Sequence, residues 1–288
     1  MKTINHPHRN AYLLLIIAAL IAFTPQVFAE VELKVMSYNV RYGTAQDGEN
    51  AWPKRREMLV RSVEAYDPDI IGVQECLDFQ AEYISKELNV YKWIGVGRER
   101  NGTGEMTAIL YRHKELIPVE SGHFWNSETP EEPGSKSWDT SLTRITSWVK
   151  FYNWREKQYF YHFNTHLDHQ GKEARKESAH LIAKRIAALP ENTPVFLTGD
   201  FNALGGKSAP WIAATEGGLK DSWDHAAKKV GPNNTWSGFT GPEESLDRRI
   251  DWILFRGPVT PLHCETVLFN EAGKYPSDHC AVFGKFSF

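Results

Sequence analysis

Eight polar residues in this chain fall where short apolar runs end, and their types suit a cation and a phosphoryl group. Asn39 closes Ser37-Tyr38-Asn39 after the run from Val31 to Met36, and Glu75 closes Gln74-Glu75 after Ile70 to Val73. His166 lies in Asn164-Thr165-His166-Leu167-Asp168, after Tyr159 to Phe163. Asp200 and Asn202 belong to Gly199-Asp200-Phe201-Asn202, after Val195 to Leu197. Asp251 stands in Arg249-Ile250-Asp251, and Asp278 and His279 in Ser277-Asp278-His279. Runs this short, rich in β-branched and aromatic residues, read as buried strands. A polar residue at the end of such a strand is held on a rigid element. A common rim carrying these eight side chains is an oxygen-rich site for a hard cation, with two imidazoles added. Its chemistry is metal-assisted phosphoryl transfer.

Each residue type has a reason to be there. Asp-x-Asn after a strand places Asp200 and Asn202 on one side through the period-two alternation of side chains; an Asx turn is the plain alternative. An Asp at 200 can take a proton from water, and Asn202 can hold a phosphate oxygen without adding repulsive charge. Asp251 sits inside an apolar pattern, Ile250 and Trp252 to Phe255, where a charge is costly unless paired. His279 is its natural partner, because a carboxylate fixes an imidazole's tautomer and raises its basicity. Glu75, with Asn39 beside it, suits Mg²⁺ or Mn²⁺, since Mg²⁺ takes one or two protein carboxylates and leaves the rest to water and phosphate. Zinc is less well served: no close His pair shares a helix with a carboxylate, and no cysteine pairs are spaced as ligands. No Gly-x-Ser-x-Gly elbow is present. Gly206-Lys207-Ser208 imitates the end of a P-loop, but Phe201 stands where its first glycine belongs.

The elements that must position these residues alternate between strand and helix patterns. Trp52 to Tyr66 reads as a helix with Pro53 near its start. Phe79 to Leu88 is a second helix. Tyr91 to Val96 and Met106 to Tyr111 are strands about a Gly-rich turn at Asn101 to Gly104. Phe124 to Asp139 reads as a long loop. Ile145 to Tyr152 and Gln158 to Asn164 form a hairpin through Asn153-Trp154-Arg155. Lys172 to Leu189 is amphipathic, with Ala179, Ile182, Ile186 and Leu189 along one face. Trp211 to Gly217 is a short helix. Ile250 to Phe255, Pro261 to Phe269 and Cys280 to Phe286 are closing strands. Many strands, few crossover helices and several hairpins argue for an α/β fold of two packed mixed sheets with helices outside, not one doubly wound sheet.

Residues 1–29 read as a signal peptide. Lys2 and Arg9 give a positive start, Tyr12 to Phe23 is too short for a comfortable membrane span, and Val27-Phe28-Ala29 fits a small-x-small cleavage site. An uncleaved anchor is the rival, but no Cys follows for lipidation. The expected product is exported, periplasmic or extracellular, with no stable membrane insertion, and comprises one domain over residues 30–288. Without Lys2 and Arg9 the chain has 31 basic against 36 acidic residues, a formal charge near −5. That balance disfavours a protein gripping a long nucleic acid through its phosphates. Three mature cysteines, Cys76, Cys264 and Cys280, do not make a disulfide framework, although Cys264 and Cys280 on late strands could pair. Cys76 reads as a small packed hydrophobe.

Taken in order, the six motifs resemble the endonuclease/exonuclease/phosphatase family, whose members include pancreatic deoxyribonuclease, neutral sphingomyelinase, inositol polyphosphate 5-phosphatases and the deadenylases. The resemblance spans about residues 31 to 288. It implies a four-layered, deoxyribonuclease-like α/β sandwich and roles position by position. Glu75 matches the metal carboxylate with Asn39 beside it, and Asp278 a second acid on the metal side. Asp200 matches the residue that prepares the attacking water, and Asn202 the phosphate-orienting amide. His279 matches the histidine on the scissile phosphate, Asp251 its partner, and His166 the second histidine. Glu105 stands where a branch of the family pairs a Glu with that histidine. Arg144 and Asp168 are weaker candidates, for contacting phosphate or for orienting neighbours, and Trp125, Trp138, Trp236 and Phe239 are candidates for an aromatic wall against a base or sugar, with core packing the favoured rival for any single one of them.

The expected function is therefore a Mg²⁺- or Mn²⁺-dependent phosphoesterase that hydrolyses a phosphodiester (or a phosphomonoester) by in-line attack of water, with a small or sugar-linked phosphodiester preferred over polymeric DNA, and works as a monomer. A secreted nuclease for DNA or RNA is the runner-up. A binding module that kept the fold and lost turnover is the alternative from another class, and the intact Asp200, Asp251 and His279 argue against it.

Overall fold

In the computed structural model, residues 32–288 are described; the segment read as a signal peptide lies outside them. In chain order the elements are β1 (Leu33–Asn39), α1 (Trp52–Tyr66), β2 (Ile70–Gln74), α2 (Asp78–Glu87), β3 (Tyr91–Ile94), β4 (Ile109–Arg112), β5 (Leu116–Trp125), β6 (Ile145–Asn153) and β7 (Gln158–His166). There follow α3 (Lys172–Ala187), β8 (Val195–Asp200), α4 (Ala209–Glu216), β9 (Lys220–Asp221), α5 (Ser222–His225), β10 (Lys228–Val230), β11 (Asp251–Arg256), β12 (Thr260–Thr266) and β13 (Val282–Ser287). Seven strands form one mixed sheet, β10-β12-β13-β1-β2-β4-β3, and six form a second, β5-β6-β7-β8-β11-β9.

The burial pattern explains the layering. Val35, Ile70 and Ile109 of the first sheet meet Val149, Phe151, Phe160, Phe196, Ile253 and Phe255 of the second in one apolar layer. The opposite face of the first sheet, with Met36, Tyr38, Ile71 and Val73, is covered by Trp52, Leu59 and Val63 of α1 and Ala81 and Ile84 of α2. The outer face of the second, with Phe163, Leu197, Trp252 and Leu254, is covered by Ile182, Ala183 and Ile186 of α3 and Ala214 of α4. Strands apolar on both faces demand this arrangement, so helix, sheet, sheet and helix make the four layers of an α/β sandwich.

The sheets also touch through polar groups. Asn164, fully buried, donates to the carbonyls of Val73 (2.8 Å) and Ala108 (3.0 Å), and its Oδ1 accepts from Gln74 (2.7 Å) and Thr198 (3.0 Å). Gly72 makes room for this contact: a Cβ there would lie 2.0 Å from Thr198 Oγ1 and 2.6 Å from Asn164 Oδ1. A side chain at 72 would push the sheets apart.

Several expectations need correction. The loop expected from Phe124 begins only at Asn126, because Leu116–Trp125 is an edge strand. Its residues Ile117 to Ser121 are exposed, so no alternation of polarity marks it, and Pro118 lies at a bulge that only an edge strand tolerates. The strand expected from Met106 starts at Ile109, with Met106 joined only by single bridges to Cys76 and Gly97. The short β9, β10 and α5 had no sequence signal. Cys264 and Cys280 do not pair; all three cysteines are free and buried. Cys264 lies opposite Gly284, and Cys280 precedes β13. No helix among the described residues is long and apolar enough to cross a membrane.

Candidate active site

Strand register builds one wall of the site. His166 pairs with Asp200 across the parallel strands β7 and β8, and Asp200 pairs with Asp251 across the antiparallel strands β8 and β11. Three titratable residues thus stand in a row at the ends of three adjacent strands. The other wall comes from the first sheet. Asn39 ends β1, and Glu75 follows β2 with φ of 55°, a left-handed turn that takes its side chain off the strand line.

Asn39 joins the two walls. Its Nδ2 donates to Glu75 Oε1 (3.0 Å) and to Asp200 Oδ2 (2.9 Å), while its Oδ1 accepts from the Arg41 backbone N–H (3.0 Å). It serves as a clamp on two carboxylates rather than as an open ligand. The Tyr42 N–H holds the other oxygen of Glu75 at 3.1 Å.

His279 closes the far side. Its Nδ1 is 2.9 Å from Asp251 Oδ2 and its Nε2 is 3.7 Å from Asp200 Oδ2, with all three side chains buried. Burial alone would lower the basicity of His279. The charges of Asp251 and Asp200 overcome it and push the imidazole's pKa up to about 10. Asp200 moves upward too, to about 7, because it is buried and faces Asp251. His166 goes the other way: burial and the nearby guanidinium groups of Arg144 and Arg98 hold it neutral, well below the usual histidine range. The site therefore presents a cationic imidazole, a carboxylate near its titration point and a neutral imidazole.

This assignment predicts a titration result. In metal-free protein, ¹⁵N NMR should find His279 protonated at pH 8, and Asp251→Asn should move its pKa down. A wild-type His279 that is neutral at pH 8 would contradict the arrangement.

Asp200 and Asn202 do not follow simple alternation. The strand ends at Asp200 and Asn202 has φ of 47°, so its backbone N–H turns back to Asp200 Oδ1 at 2.9 Å. The Asx turn and the site geometry are thus one feature. The Asn202 side-chain amide donates to the Leu167 carbonyl (3.0 Å) and lies 3.1 Å from His166 Nε2. A phosphate that reaches this amide would compete with those two partners.

Glu105 and Asp278 are placed differently from their expected roles, whereas Asp168 orients its neighbours and Trp125 packs in the core, each the alternative to substrate contact. Glu105 does not pair with His166; Arg98 takes its carboxylate through two bonds of 2.8 Å. Asp168 accepts from Gly171 N (2.7 Å), Gln170 N (3.0 Å), Ser141 Oγ (2.8 Å) and Leu142 N (3.1 Å), so it fastens a loop to the start of α3. Trp125 is buried and donates Nε1–H to the Arg98 carbonyl at 2.7 Å, which makes it a packing residue. Asp278 is separated from Glu75 by Arg41, whose Nη1 lies 3.8 Å from Asp278 and 4.0 Å from Glu75. Trp236 is half-buried against His279, with ring centroids 5.0 Å apart and edge-to-face.

Two arginines carry weight that no motif announced. Arg41, two residues past Asn39, is oriented by a bidentate pair with Asp47. Arg55 is buried and donates to the carbonyls of Val40, Arg41, Asn50 and Pro276, tying the end of β1 to the segment that brings in Asp278 and His279. A basic residue on the inner face of α1, in the heptad before Ser62 and Val63, was its only signal.

Residues 36–279 match the profile of the endonuclease/exonuclease/phosphatase family. The chain belongs to that family. Family members hydrolyse phosphoester bonds, and they generally use divalent metals. A solved family member from Bacteroides thetaiotaomicron is 35% identical, with a TM-score of 0.84, over 90% of this chain and 95% of that one. The mannosyl-6-phosphatase of Bacteroides thetaiotaomicron VPI-5482 is also 35% identical, with a TM-score of 0.83, over 89% of this chain and all of that one. Among curated proteins, a 5'-tyrosyl-DNA phosphodiesterase of Caenorhabditis briggsae is 26% identical over 89% of this chain and 69% of its own length. This family member is accordingly a hydrolase of phosphoester bonds.

Proposed function

We propose that the protein is an exported, divalent-metal-dependent hydrolase of small, sugar-linked phosphoesters, acting as a monomer. The observation that carries this reading is the row His166, Asp200, Asp251 closed by His279 and clamped through Asn39 to Glu75. It concentrates four carboxylates, Glu75, Asp200, Asp251 and Asp278, against Arg41 and His279. When all are ionised, two negative charges are left in excess. An anionic substrate would be repelled unless a cation enters.

The donor set fits that cation. Glu75, His166 and Asp200 offer ligand atoms within 4.8 Å of one another. Glu75 and Asp200 would supply the carboxylate oxygens that Mg²⁺ or Mn²⁺ takes, with water and phosphate completing the shell. When bound, the cation supplies Lewis-acid stabilisation of charge on the phosphoryl oxygens. The protein's own groups do the rest. Protonated His279, held by Asp251, offers an N–H to a phosphoryl oxygen as charge develops there. Asp200, with its pKa near neutrality, takes the proton of the attacking water. Trp236 gives the leaving group a flat apolar edge. The name of the 35% identical mannosyl-6-phosphatase supports a sugar phosphate, and the acidic charge of the chain weighs against polymeric DNA.

The deciding experiment incubates the mature protein and Mg²⁺ or Mn²⁺ with p-nitrophenyl phosphate, bis-p-nitrophenyl phosphate, mannose 6-phosphate, plasmid DNA and RNA. Turnover of the small esters, weakly dependent on salt, is the expected result. Strong plasmid cleavage that collapses between ~50 and ~200 mM salt would promote the nuclease reading, since a protein that neutralises several phosphates loses affinity steeply over that range.

Metal removal gives a second test. EDTA should abolish turnover and Mg²⁺ or Mn²⁺ should restore it on mixing, because a cage of few protein ligands exchanges its ion freely. Glu75→Gln should raise the metal concentration that gives half-maximal activity. An unaltered metal requirement in that variant would remove Glu75 from the site.

A further inference from the structure

Along the flank of α3 runs a groove that no residue of the active site lines. Two hollows form it, of about 590 and 280 Å³, and they meet at Arg185 and Ala188. The first lies between α3 and the loop after β5. Trp138, Pro130 and Leu181 give it apolar walls, with Glu128, Glu177 and Lys184 among them. The second lies where Phe124, Trp148 and Tyr161 of the outer sheet face meet Leu189 beyond α3. From Glu177 to Leu189 the groove follows the helix for about 18 Å, the length of several sugar rings.

The walls are held in place. A Cβ at Gly122 would lie 2.9 Å from the Trp148 indole, so the bare backbone there lets the ring lie against β5. That indole stacks on Phe163, with centroids 6.3 Å apart, and leans on Tyr161 at 6.2 Å. The Arg185 guanidinium lies 4.2 Å from the Phe124 centroid and is paired with Glu131. Trp138 has φ of 55°, a strained conformation for a bulky side chain. Asp139 beside it accepts from Ala174 N (2.7 Å) and Glu173 N (3.3 Å), which fixes the loop to the start of α3.

The charges along the groove select its occupant. Arg185 is paired with Glu131, Glu120 with Lys150 and Glu177 with Lys176, which leaves Glu128 against Lys184. A polyanion finds no positive field here and a basic peptide no negative one. An acyl chain would cover charged groups, at a cost in desolvation. The matching ligand is a neutral chain whose flat CH faces meet indole rings and whose hydroxyls both give and accept hydrogen bonds. The groove is also tied to the active site. The loop that carries Trp138 goes on to Ser141 and Leu142, which donate to Asp168 (2.8 and 3.1 Å), two residues past His166.

We infer that this groove binds a neutral oligosaccharide, the chain on whose end the phosphorylated sugar is carried. The inference rests on the sugar-phosphoester reading and extends it from a single sugar to a chain.

Calorimetry on the mature protein in EDTA, with mannohexaose, maltohexaose and mannose as probes, tests it. At least one hexasaccharide should bind, and mannose far more weakly, because a single sugar fills only part of the groove. Inorganic phosphate should not displace the hexasaccharide. Trp138→Ala should weaken binding at least ~10-fold, the scale of one lost aromatic anchor. Trp138→Phe, which keeps a ring and guards against a folding defect, should recover part of it. Ala188→Trp, at an exposed position where the hollows meet, should block binding with both indoles in place. With Mg²⁺, mannohexaose phosphorylated on O6 of its terminal sugar should show a lower KM than mannose 6-phosphate, and Ala188→Trp should erase that difference. Failure of both hexasaccharides to bind, displacement by phosphate, or unchanged affinity in folded variants would overturn the inference and leave the phosphoesterase reading intact. Glycan binding through the groove without hydrolysis of any phosphoester would support the groove and defeat that reading.

Discussion

In the His279→Ala protein, turnover falls by at least ~10²-fold, the lower end for a positioned proton donor or electrostatic group. The reason is the bond of 2.9 Å from Nδ1 to Asp251, which keeps the imidazole charged inside the protein and leaves Nε2 to face the reacting phosphoryl group. Asp251→Asn should do comparable damage, because an imidazole buried without its carboxylate gives up its proton. The double variant should be little worse than His279→Ala, since members of one unit lose their effect together. Circular dichroism must show native folds, as Asp251 is fully buried. Losses that multiply in well-folded variants would assign the two residues independent roles.

Asp200→Asn carries the second large effect. Removing the group that accepts the water's proton should lower kcat by ~10²- to 10⁴-fold. Stability should respond in the opposite sense. A carboxyl with its pKa raised to about 7 keeps in the fold a proton that the unfolded chain has already released. Wild-type stability in EDTA must therefore fall as pH climbs from about 4 towards 7. In the variant this part of the fall vanishes, so its melting temperature should drop less than wild type between pH 5 and pH 8. Parallel pH profiles for the two proteins would mean that Asp200 is an ordinary ionised carboxylate. Enzymes commonly hold such strained charge at the reacting centre, and activity and stability then move apart.

The site was legible in sequence to the extent that strand ends are legible. Asn39, Glu75, His166 and Asp200 follow apolar runs, and Asp251 opens one; its pairing with His279 followed from the cost of an isolated charge among Ile250 and Trp252 to Phe255. What failed depended on partners far away in the chain. Glu105 has a free carboxylate in sequence and a captured one in the fold, because the turn at Asn101 to Gly104 folds Arg98 back beside it. Trp125 looks like a loop aromatic until the preceding exposed strand is recognised. Asn164 shares a motif and a strand face with His166; two residues further from the strand end, it meets Val73, Gln74 and Ala108 and ties the sheets, while His166 at the end faces the site.

The clamp by Asn39 also has a kinetic meaning. Glu75 and Asn39 belong to one sheet, Asp200 and His279's partner Asp251 to the other, and neither sheet alone contains a working set. When the chain refolds from denaturant, the regain of hydrolysis should time the docking of sheet on sheet, not the formation of either. Enlarging Gly72 to Ala, at a position remote from any substrate, should delay that final step and leave earlier signals of secondary structure unchanged. Turnover is thus a clock for the last event of folding.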